Sequence, residues 1–121
     1  MISYDLDKST GVLTVRPEGK LEVQDFQALS KTVDPYIEEK GKLTGLIIVA
    51  EKFPGWKDFS GMIEHMNFVR SHHTEIVKVA LVTDSKMADI AESLGKHFVK
   101  ASIKHFPAHE LESAKSWISQ G

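Results

Sequence analysis

The chain has 121 residues, 15 of them basic and 17 acidic, for a formal net charge of -2 and a pI near 6.3. That balance argues against the strongly basic face of a dedicated nucleic-acid binder, and the length suits one domain that needs no disulfide or metal staple. Because the sequence contains no cysteine, disulfides, thiol catalysis and cysteine-bound zinc are excluded as well.

Hydrophobic periodicity then divides the chain into elements. Ile2, Tyr4 and Leu6 alternate with Ser3, Asp5 and Asp7, as a half-exposed strand does. Asp7-Lys8-Ser9-Thr10-Gly11 is turn chemistry, and Val12, Leu13 and Val15 resume an extended pattern, so a hairpin is predicted. Val23, Phe26, Leu29, Val33 and Ile37 fall on one helical face, and Gly41 supplies the stop. The most apolar run, Leu46-Ile47-Ile48-Val49-Ala50, lies in a buried strand predicted over 43–50. Phe59, Met62, Ile63, Met66 and Val69 mark a helix over 58–72, and a further strand covers 76–82. Thr83, Asp84 and Ser85 offer caps for a helix carrying Met87, Ile90, Ala91 and Leu94. A strand over 101–106 ends at Pro107, and a final helix holds Leu111, Ala114, Trp117 and Ile118.

The resulting order, ββαβαβαβα, predicts an α/β fold with a five-stranded, mostly parallel sheet and an antiparallel strand at one edge. Right-handed crossovers winding in one direction place its four helices mainly on one face. With no repeat, linker or low-complexity run, residues 1–121 read as a single domain. The first twenty residues lack the apolar core of a signal peptide, and no stretch approaches the ~20 apolar residues of a membrane span. The expected location is cytoplasmic, with any membrane contact peripheral.

The segment between the predicted strand over 43–50 and the helix over 58–72 has unusual contents. It holds Phe53, Trp56 and Phe59, flanking lysines Lys52 and Lys57, and a Ser60-Gly61 pair at the helix start. Strand-to-helix loops at the carboxyl edge of open α/β sheets are where ligands gather, and such loops are normally polar. Phe53, Trp56 and Phe59, with Met62 and Met66 one and two turns on, can line a pocket for an acyl chain. The same residues can enter a bilayer interface, where tryptophan is favoured and Lys52 and Lys57 meet anionic head groups. Core packing is the better account of Met62, Ile63 and Met66, which sit at helical spacing, whereas Phe53 and Trp56 suit core and contact surface equally. Pro54-Gly55 provides a hinge about which the following helix can move.

The element order, together with Asp58-Phe59-Ser60-Gly61 at a helix start after the third strand, resembles the SpoIIAA-like proteins of the STAS fold family. The closing pattern Phe106-Pro107-Ala108 followed by Glu110, Ala114 and Trp117-Ile118 is similar to the small SpoIIAA-like branch of bacteria. In sigma-regulating members an Asp-Ser-Ser-Gly sequence opens this helix and its second serine is phosphorylated. Here Asp58, Ser60 and Gly61 match, while Phe59 replaces the first serine and the preceding loop is longer and aromatic. The resemblance therefore implies either a partner protein and a switch at Ser60, or, by likeness to CRAL-TRIO lipid-binding domains, an apolar ligand beneath a movable helical flap. Self-association through the aromatic loop is a third expectation.

Other chemistry is weaker. Ser60 is an ordinary helix cap in one reading and a phosphoacceptor in the other, with the phosphate on free helix N–H groups and Asp58 opposing it. Ser60, Gly61 and Ser85 could gather two helix N-termini around one anion, or simply cap two helices. His65 and His72 share a helix face about 10 Å apart, and His105 and His109 straddle Pro107, so neither pair supplies the converging ligands of a metal centre. His73 and His97 add no third ligand, and no cofactor is expected. Elbow, Walker and dinucleotide motifs are lacking, so the expectation is a binding module and not an enzyme.

Overall fold

The computed structural model describes residues 2–17, 23–50, 75–84 and 101–120. In them the chain forms β1 (Ile2–Asp7), β2 (Val12–Pro17), α1 (Val23–Lys40), β3 (Leu43–Ala50), β4 (Ile76–Thr83), β5 (Ser102–Phe106) and α2 (Leu111–Ser119). The five strands make one sheet in chain order, β1-β2-β3-β4-β5. β1 and β2 are antiparallel, and β2 to β5 are parallel neighbours. The predicted sheet, its hairpin and its antiparallel edge strand are all present. The helices expected over 58–72 and after Ser85 lie outside the described residues.

The hairpin forms where its turn residues require it. Asp7 Oδ1 accepts the Ser9 amide at 3.0 Å and the Ser9 hydroxyl at 2.6 Å, and these bonds hold its carboxyl below the usual carboxylate range. Gly11 takes φ 76°, and a Cβ there would meet the Tyr36 hydroxyl at 2.8 Å and Thr44 Oγ1 at 2.9 Å. Only glycine satisfies both demands. The Gly11 carbonyl also accepts the Thr44 amide at 2.9 Å, which ties the turn to β3.

Side chains on successive strand residues point to opposite faces, and each face has its own cover. Leu29, Val33 and Ile37 of α1, spaced by four, bury against Leu13, Leu46, Ile48, Val79 and Leu81. Gly41 ends the helix at φ 84°, its amide bonded to the Ile37 carbonyl at 2.6 Å. Pro35 stands inside α1 on its exposed side, a helix-interior proline that the apolar periodicity did not signal. On the reverse face Ala114 and Ile118 of α2 pack against Val12, Ile47, Ala80, Val82 and Phe106. The two described helices therefore lie one on each side of the sheet, and the other two of the four expected helices fall outside the described residues. α1 connects the parallel strands β2 and β3, the arrangement to which the handedness rule applies, whereas α2 follows β5.

Candidate functional site

Three parallel strands end side by side at the carboxyl edge of the sheet, with Ala50 registered on Thr83 and Val82 on Phe106. Thr83 is buried, and its carbonyl accepts a hydrogen bond from His105 Nε2 at 2.6 Å. Because a carbonyl only accepts, this contact places a ring proton on Nε2. Asp84 Oδ1 accepts the Ala108 amide at 3.0 Å. The ends of β4 and β5 are thus braced twice, once through each strand. His105, which the sequence offers only as one of two histidines astride Pro107, is a clamp on a strand end. Asp84 holds the turn after Pro107 through its carboxylate, a role its place among helix caps did not suggest. His109 is exposed, and among the described residues no three metal-ligating side chains converge.

A second constellation lies on the α2 face. Phe106 and Trp117 have ring centroids 6.0 Å apart at an interplanar angle of 53°. The Lys78 ammonium sits 5.1 Å from the Trp117 ring centre and donates to the Trp117 carbonyl at 2.9 Å. Lys104 lies 5.3 Å from the Phe106 ring and 6.0 Å from that of Trp117. A lysine on the last carbonyls of a helix complements its negative end, and the rings attract both cations. Trp117 was legible as a helix-face residue. The lysines were not, because the pairing depends on α2 crossing over β4 and β5.

Lys52, Phe53, Trp56, Lys57, Phe59, Ser60, Gly61, Met62, Met66 and Ser85 all lie outside the described residues, as do Asp58, His65, His72, His73 and His97. What is fixed is where the chain departs towards them. It leaves β3 after Ala50 and leaves β4 after Thr83, and these two residues are direct partners on adjacent strands. Among the described residues no helix is long and apolar enough to cross a membrane.

A hairpin edge strand, parallel strands in chain order and a terminal helix on the reverse face define a STAS-type α/β module. The family model described as SpoIIAA-like matches residues 12–119, from the start of β2 to the end of α2, and the chain belongs to that family. β1 falls before the matched span. No curated protein and no solved structure matches the chain at a significant level.

Proposed function

We propose that this SpoIIAA-like module is a non-enzymatic binding protein that takes an apolar or amphipathic, lipid-like ligand at the carboxyl edge of its sheet. The observation that carries the reading is the pairing of Ala50 with Thr83. It brings two neighbouring strand exits together at the edge where α/β sheets collect ligands, and the first exit runs directly into the aromatic segment. In this reading Phe53, Trp56, Phe59, Met62 and Met66 supply apolar contact. Lys52 and Lys57 meet an anionic group of the ligand or of a membrane surface, and the helix over 58–72 moves about Pro54-Gly55 to admit it. Burying three aromatics and engaging two lysines contributes about 5–8 kcal/mol gross, and ordering costs leave roughly micromolar to millimolar affinity.

Replacing Trp56 and Phe59 together with serine is expected to abolish fatty-acid and liposome binding while leaving the melting temperature nearly unchanged. A large fall in melting temperature would identify those rings as core and overturn the reading. A second reading is a regulatory protein-interaction module, with Ser60 and Gly61 also serving, together with Ser85, as an anion-binding pair of helix starts. It is favoured by membership of the family combined with the match of Asp58, Ser60 and Gly61. Intact mass of the protein from its native host separates the two, since a phosphate on Ser60 adds about 80 Da together with its charge.

A further inference from the structure

The two edges of the sheet carry opposite charge on the same face. On β1, the Tyr4 hydroxyl reaches Thr32 Oγ1 on α1 at 3.1 Å and Leu6 packs into the α1 cluster, so Ser3, Asp5 and Asp7 point to the α2 face. On β5, Ile103 packs into the α1 cluster and Phe106 into the α2 cluster, so Lys104 shares the α2 face with Asp5. Asp5 and Lys104 are both exposed, and neither forms an ion pair with a described residue. Among the described residues β1 and β5 are the outermost strands.

We infer that β5 of one copy accepts β1 of a second copy, continuing the sheet head to tail through an Asp5–Lys104 contact. The directions agree. β1 is antiparallel to β2, and β2 to β5 are parallel, so a second copy displaced along the sheet presents β1 antiparallel to β5 with its α1 face on the same side. Setting Asp5 opposite Lys104 in an antiparallel ladder also sets Leu6 opposite Ile103, Tyr4 opposite His105 and Asp7 opposite Ser102. On the α1 face Leu6 then meets Ile103 and the Tyr4 ring meets the His105 ring, while on the other face the acidic positions meet lysine or hydroxyl and Ser3 lies opposite Phe106. Like edges are disfavoured, because two β1 strands oppose Asp5 to an aspartate-rich edge and two β5 strands oppose Lys104 to a second lysine. Charge at an edge is a common defence against pairing, but here each defence is complementary to the other.

An interface between unlike surfaces does not close on a dimer, and unless its rotation closes a ring it grows into an open assembly, the outcome we expect here. One ladder of five pairs is a small contact, so dissociation constants on the order of 0.1–1 mM are expected. Sedimentation of the full chain from about 0.02 to 1 mM should show an average mass that rises without a plateau, and rises less in high salt. Either Lys104→Glu or Asp5→Lys alone should weaken association about tenfold, and the two together should restore it. Circular dichroism confirms that the variants fold, as expected for exposed positions. A monomer at every concentration, a plateau at dimer, or association insensitive to both substitutions overturns the inference. So does assembly lost on replacing Trp56 and Phe59, which assigns it to the aromatic loop.

Discussion

On one face of the sheet, α1 lays Leu29, Val33 and Ile37 over Leu13, Leu46, Ile48 and Leu81. On the other, α2 descends onto Gly45 and Ala80 with Ala114 and Ile118. β3 serves both, sending Leu46 and Ile48 one way and Gly45 and Ile47 the other. The first interface is thick and made of large side chains. The second is close, because small residues let the helix approach, and its margin is closed by Lys78, Lys104 and the Trp117 ring. The difference follows from what each helix meets. α1 presents leucine, valine and isoleucine to large strand side chains. α2 sets Ile118 over Gly45, where no side chain intervenes, so its seat depends on close fit. Truncation should therefore hurt most on the α1 face, and enlargement should matter most on the α2 face.

The largest effect tests the first half of that statement. Leu81 is buried in the α1 cluster, and Leu81→Ala removes an isopropyl group while leaving a cavity that the covered sheet cannot collapse. The expected cost is about 3–5 kcal/mol in urea unfolding, a large part of the total stability of a domain this size. A loss below about 1 kcal/mol would mean that the α1 interface is looser than its burial implies. Gly45→Ala tests the other half. A Cβ at Gly45 would lie 2.5 Å from Ile118 Cγ2 and 2.6 Å from its Cδ1, inside any permitted contact. Ile118 is β-branched and fully buried, so it cannot swing aside, and α2 must shift outward. Overpacking of this kind costs about 1–3 kcal/mol, which a fall in the urea midpoint reports directly. A neutral substitution would show that α2 is not seated on Gly45 at all.

The elements themselves were legible because their signals are local. The run from Leu46 to Ala50, the spacing of Leu29, Val33 and Ile37, and the turn ending in Gly11 each state their structure within a few residues. What stayed hidden depends on distance along the chain. The side taken by α2 has no local code, since the handedness rule speaks only for crossovers. The His105 clamp joins residues 22 positions apart, and the Lys78 contact with Trp117 joins residues 39 apart. A histidine or lysine in a strand looks the same whether it faces water or a carbonyl on the next element. Of the candidate binding residues, the sequence supplies the chemistry and the sheet supplies only the point of departure, Ala50 beside Thr83.

The smallest predicted effect separates the two lysines at the margin of α2. Lys78 makes both a hydrogen bond to the Trp117 carbonyl and a ring contact, and it is half-buried. Lys104 is exposed and makes ring contacts alone. Lys78→Met keeps the apolar stem and removes the ammonium, so the loss reports the charge and its bond and not the packing. A cost of about 0.5–1.5 kcal/mol is expected from urea unfolding, against about 0.5 kcal/mol or less for Lys104→Met. Equal small losses would mean that the carbonyl bond contributes nothing and that α2 is held by Ala114 and Ile118 alone. A loss for Lys78→Met that vanishes when Trp117 is also replaced would instead place the energy in the contact between them, because coupled residues fail to add. The last turn of α2 would then be held to β4 by a bridging cation.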